Sequence, residues 1–164
     1  MSEYNQKLTP YQLQKAYMID ARQVDASGAY IGNGDYRKFA LSELYEYLDA
    51  VKENNITDQV DALCDIIVCL WGLAIQNGFE NIEIKKSNLG AIEKGAQLLI
   101  EKPNLIKIEI ENIIAGCIYD IEELGYDAEK SLYEVFRNNY ERRVMDEDGF
   151  QATDENGKGM KDPD

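Results

Sequence analysis

The chain has 164 residues, 31 acidic against 17 basic side chains, and no histidine, giving a formal net charge of −14. That charge argues against general affinity for nucleic-acid phosphates, which needs clustered Lys and Arg. The missing imidazole excludes Ser-His-Asp and Cys-His nucleophile systems and most zinc sites. Chemistry in this chain must run on carboxylates, lysines, arginines or a bound cation.

The first six residues, Met1 to Gln6, lack a basic-then-apolar signal pattern, and no apolar run approaches the roughly 20 residues of a membrane span. Three cysteines, Cys64, Cys69 and Cys117, lie in apolar stretches without a disulfide spacing. The expectation is a cytoplasmic protein with buried thiols and no membrane partner.

Thr9 before Pro10 is a helix-start signature and predicts a first helix from Pro10 to about Val24. Gly28, Gly32, Asn33 and Gly34 mark a loop. A second helix is expected from Tyr36 to Lys52, where Phe39, Leu41, Leu44, Leu48 and Val51 form an apolar stripe. Thr57 is read as the cap of a third helix, Asp58 to Asn77, ended by Gly78. Ser87 is read as the cap of a fourth, running to about Ile100 and stopped by Pro103.

Ile106, Ile110, Ile113, Cys117, Ile121 and Leu124 continue at helical spacing to Gly125, so the alternating Ile106–Ile110 stretch is read as helix. Asp127 caps a last helix to about Arg143. The division is an all-α domain over 1–145 and a polar, mobile tail over 146–164, expected to close over a functional site, with turn pairs Asp148-Gly149 and Asn156-Gly157. The wide stripe that also includes Ile114 and Ile118 predicts a helical bundle completed across a symmetry axis, as a homodimer or a dimer of dimers.

Between Val60 and Ile75 only Asp61 and Asp65 are polar, and with Asp58 they fall within about 60° on one helix face. Glu43 and Glu46 make a similar stripe on the preceding helix, and the short connection predicts antiparallel neighbours. If the stripes face each other, repulsion in a partly desolvated pocket calls for a divalent cation, and all-oxygen ligation suits Mg²⁺, with Mn²⁺ as a substitute. Two blander readings stand beside this one. Glu43 and Glu46 could be solvated surface acids, and Asp61 and Asp65 could be paired with Lys or Arg from another helix. Trp71, Tyr45, Tyr47 and Phe79 are read as packing aromatics.

Three segments in order carry a family resemblance: Leu41-Ser42-Glu43-Leu44-Tyr45-Glu46; Asp58 through Ile67 with the Gly72 and Gly78 ending; and Glu134-Val135-Phe136-Arg137-Asn138-Asn139 followed by Glu155-Asn156-Gly157-Lys158. Over roughly 36–161 the chain resembles the MazG-type all-α nucleoside triphosphate pyrophosphohydrolases, a superfamily that includes dimeric dUTPases and phosphoribosyl-ATP pyrophosphohydrolases. The resemblance implies a four-helix module, here with an extra inserted helix, and Mg²⁺-dependent hydrolysis of a nucleoside triphosphate to the monophosphate and pyrophosphate. It implies Glu43, Glu46, Asp61 and Asp65 as catalytic metal site, with Asp58 as outer ligand. Arg137, Arg142, Lys158, Lys161 and Asn139 become candidate substrate contacts. Ser42 stands where many members carry another glutamate, and Ala62 replaces the glutamate of the common Glu-x-x-Asp pattern. These departures keep open a catalytically weak nucleotide-binding or interaction module on the same bundle. The sequence does not name the nucleotide.

Overall fold

The structure, a computed structural model, describes residues 8–163; the reading of the Met1–Gln6 segment falls outside them. Among the described residues the protein is all-α: six helices, no sheet, and four isolated antiparallel bridges. No helix among them is long and apolar enough to cross a membrane.

Helix α1 spans Pro10–Asp20 and is opened by a reciprocal cap: Gln12 N–H donates to Thr9 Oγ1 (3.1 Å) and Thr9 N–H to Gln12 Oε1 (2.9 Å). It ends four residues before the expected Val24, because Arg22 turns into the left-handed region at φ 57°. Helix α2 spans Tyr36–Lys52, as the periodicity predicts, with Asp35 as its cap. Helix α3 spans Ile56–Gln76 and is capped by Asn55, whose Oδ1 accepts from Asp58 N–H at 3.0 Å, rather than by Thr57. Only residues 53–55 separate α2 from α3, so the two lie antiparallel and form the most extensive helix pair.

Glycine makes that pairing close. A Cβ on Gly72 would lie 2.2 Å from the ring of Tyr36, which is itself buried. Gly72→Ala should therefore force α2 and α3 apart and cost about 1–3 kcal/mol, seen as a lower melting temperature.

The expected fourth helix is mostly absent. Ser87 forms a local turn, its Oγ donating to Leu89 O and accepting from Leu89 N–H, and residues 91–97 run as turns. Only Leu98–Glu101 is helical (α4). Gly95 sits at φ 102°, and Gly90 packs so tightly on Asp120 that a Cβ would meet its carboxylate at 2.3 Å. The segment is thus a cover rather than a helix. Asp120 Oδ2 accepts from Ala91 N–H (2.9 Å) and Glu111 Oε2 from Glu83 N–H (2.6 Å), fastening it to α5, Lys107–Glu123. On α5, which packs chiefly on α3, Ile110, Ile113, Ile114, Cys117 and Ile121 are fully buried, while Ile106 is 56% exposed. The stripe expected to demand a partner subunit is therefore covered within the chain, and it no longer argues for assembly.

Helix α6 spans Ala128–Glu141, capped by Asp127. Beyond it the tail, expected as a mobile extension, is folded and packed. Bridges pair Arg143 with Lys161, Met145 with Gln151, and Thr153 with Gly159. One turn design recurs three times, in Asp25–Ala29, Asp146–Phe150 and Asp154–Lys158. In each, the aspartate Oδ1 accepts from the amides two and four residues on, and a glycine with positive φ stands at the fourth position. The tail is fixed to α1 by Arg22–Asp146 (2.6 Å) and Arg143–Asp20 (2.5 Å). Gln151 is buried there, its Nε2 donating to Tyr17 Oη (2.8 Å).

Candidate functional site

Helices α2 and α3 bring the predicted acids to one region, divided between two spaces. The outer one, a groove of about 340 Å³, is lined by Glu46, Asp49, Glu53, Asp58, Asp61 and Asp65. The inner one, a cavity of about 70 Å³, is lined by Glu43 and Asp65 together with Gln14 and Tyr17 of α1, Tyr36 and Phe39 of α2, Val68 and Cys69 of α3, Asn139 of α6, and Lys158, Gly159 and Lys161 of the tail. Asp65 borders both.

Glu43 is 8% exposed, and its Oε2 is buried with no hydrogen-bond partner among the described residues. Burial first, then a carboxyl–carboxyl contact with Glu46 and the charge of Asp65, push its pKa up to about 8, against the partial relief of Lys158. A contact of that kind holds only while one of the two carboxyls carries a proton. Asp65 is raised to about 6 by burial, in spite of the nearby Lys161 and Lys158 ammonium groups. Asp61 is raised as well, by burial and then by Asp58. Lys161 is lowered by burial.

The lysines arrive from the tail, not from another helix. Lys158 Nζ lies 3.8 Å from Glu43 Oε1 and 5.6 Å from the centre of the Phe39 ring. Lys161 Nζ donates to Asn139 Oδ1 at 3.0 Å. Their register is set by two glycines flanking Lys158. A Cβ on Gly157 (φ 78°) would lie 2.5 Å from Gly34 N, and one on Gly159 would lie 2.6 Å from Gln151 Nε2. Gly157→Ala combines left-handed strain with a backbone clash, so the tail should leave its seat. Tryptic cleavage at Lys158 and Lys161 should then be about tenfold faster than in the wild type.

Two other candidates lie elsewhere. Arg137 pairs with Glu134 (2.5 Å), both side chains exposed, on a separate α3–α6 groove of about 620 Å³ that touches the site only at Asp61. Arg142 donates from Nε to Asp162 O (2.7 Å) and so helps hold the tail. The sequence reading missed Gln14, Tyr17, Tyr36 and Phe39, whose meeting in one cavity depends on how α1 packs against α3 and α6.

A divalent cation suits this donor chemistry: the acids are oxygen ligands, several are held partly protonated without one, and Glu43 Oε2 is an orphaned buried acceptor. Among the described residues, however, no three Asp, Glu or Cys side chains already stand together as a ligand cage. Comparison with protein-family models, with curated proteins and with solved structures gave no match. The functional reading therefore rests on the residues themselves.

Proposed function

We propose that the protein is a Mg²⁺-dependent nucleoside triphosphate pyrophosphohydrolase of the MazG-like kind, serving nucleotide-pool control or house-cleaning. The observation that carries this reading is the placing of Glu43, with its orphaned buried oxygen, between the α2–α3 acids and the two tail lysines. Acids alone would suit a bare cation site, whereas acids opposed by lysines suit a polyphosphate lying between them.

Glu43, Glu46, Asp61 and Asp65 would hold the ion, with Asp58 outside them, and Mn²⁺ would serve in place of Mg²⁺. When bound, the ion neutralises phosphate charge and makes a coordinated water more acidic. Lys158 and Lys161 bind phosphate oxygens, and Asn139 orients Lys161. Glu46 accepts a hydrogen bond from the attacking water and takes its proton as the anhydride bond breaks. A homodimer or a dimer of dimers, which the resemblance implies, belongs to the same proposal and is checked by light scattering.

A second reading, a nucleotide-binding module with little turnover, is favoured by the lack of a preassembled three-acid group among the described residues. A pyrophosphate-release screen over nucleoside triphosphates with Mg²⁺ and Mn²⁺ separates the two. Metal-dependent release from at least one nucleotide is expected. Binding without release from any would favour the module.

A further inference from the structure

The tail that carries Lys158 and Lys161 contains a buried amide that does not line the inner cavity but hydrogen-bonds to its wall. Gln151 is 2% exposed, and its Nε2 donates twice, to Tyr17 Oη of α1 (2.8 Å) and to Met160 O (2.9 Å). Tyr17 stands in the cavity wall, and Met160 lies between Gly159 and Lys161, which line it too. Gly159 leaves room for this arrangement, since a Cβ there would lie 2.6 Å from Gln151 Nε2 and 2.8 Å from Tyr17 Oη.

The Met160 carbonyl can only accept, so the amide nitrogen is fixed on this side and its oxygen on the other. There Gln151 Oε1 is buried with no hydrogen-bond partner among the described residues. An unpaired buried acceptor is a cost to stability. An apolar side chain of similar length would fill the space without that cost, and Met160 O would keep a second donor, Val144 N–H at 3.0 Å. What the amide alone supplies is a pair of directed donors that join α1 to the backbone between the two lysines. Salt bridges Arg22–Asp146 and Arg143–Asp20 fix the tail elsewhere. A lysine ammonium on its flexible stem is placed only as well as the backbone beneath it.

We infer that Gln151 is a positioning residue: by tying Met160 to Tyr17 it holds Lys158 and Lys161 opposite the α2–α3 acids at the separation a polyphosphate needs. The inference rests on the polyphosphate reading above and adds a residue outside the cavity on which phosphate binding depends.

Calorimetric titration tests it on wild type, Gln151→Met and Gln151→Leu, first with Mn²⁺ alone and then with pyrophosphate at saturating Mn²⁺. Both variants stay apolar and buried and lack the donors. Mn²⁺ should bind all three proteins about equally, because the acids stand on α2 and α3, whereas pyrophosphate should bind both variants about tenfold more weakly than wild type. A merely structural role would not divide the two ligands in this way. Gln151→Met should also melt close to wild type, because removal of the orphaned oxygen offsets the lost hydrogen bonds. Parallel loss of Mn²⁺ and pyrophosphate binding in both variants overturns the inference and makes the amide structural. If one variant fails to fold, the other decides. A wild type that takes up no pyrophosphate sinks the polyphosphate reading and this inference with it. Wild-type binding that a folded variant matches sinks this inference alone.

Discussion

Asp65→Asn and Glu46→Gln are each expected to lower metal-dependent pyrophosphate release by about a hundredfold or more while the fold survives. Each exchange keeps volume and removes one negative charge. Losing even the groups that support a metal's ligands costs about 10–100-fold, and the ligand or water-orienting carboxylate itself should cost no less. Asp65 borders both the inner cavity and the acidic groove, so its loss is felt by ion and phosphate together. Parallel melting curves show whether the variants are folded. A variant with full activity sinks the site assignment, and a variant that unfolds shows instead that the carboxylate pairs with the tail lysines for stability.

The metal-free protein should also lose stability as pH rises. Glu43 is raised from an ordinary 4.5 to about 8 and Asp65 from 3.8 to about 6, so both bind protons more tightly folded than unfolded. For an acid shifted upward, the protonated form is favoured in the folded state. Its stabilising contribution is complete below the unfolded value and is lost as pH climbs through the folded one. The loss should therefore start near pH 4 and continue to about pH 8, and self-repulsion of a strongly acidic chain acts in the same direction. The expected drop is on the order of a few kcal/mol. In EDTA the melting temperature should fall between about pH 4 and pH 8. Glu43→Gln should flatten that fall and melt above wild type at the alkaline end. Mg²⁺ should restore wild type there by binding only the folded form. A flat profile in EDTA would mean that the buried carboxyls are not held protonated.

Periodicity located α2 to the residue because its cap, stripe and end all agree. It placed α3 two residues late because Asn55 and Thr57 are both good caps, and Asn55 reaches the Asp58 amide. It turned 87–100 into a helix because composition there permits one, whereas the deciding contacts, Gly90 on Asp120 and Ala91 on Gly116, come from α5, more than twenty residues away. The acids were legible because Asp61 and Asp65 break an apolar run. Gln14 was not, since a glutamine in a polar helix looks like surface until α1 is packed against α3 and α6. Lys158 could be named from its motif, but its position beside Glu43 depends on two glycine contacts that no local pattern reveals.

The packed tail has a consequence for how the site opens. Its turns are local, built from aspartates and backbone amides, and its short bridges cover little apolar area, whereas α3 and α5 bury the isoleucine-rich core. Segments held so differently exchange their amide hydrogens through separate openings, the weaker one well before global unfolding. The amides of α2 and α3, which carry the acids, should therefore exchange slowly, and those of the tail that carries the lysines should exchange faster. On the proposed reading, a nucleotide would enter or leave by displacing Lys158 and Lys161 with α2 and α3 intact. Amides of 144–162 protected in step with those of α3 would show the opposite, a site that opens only when the whole molecule does.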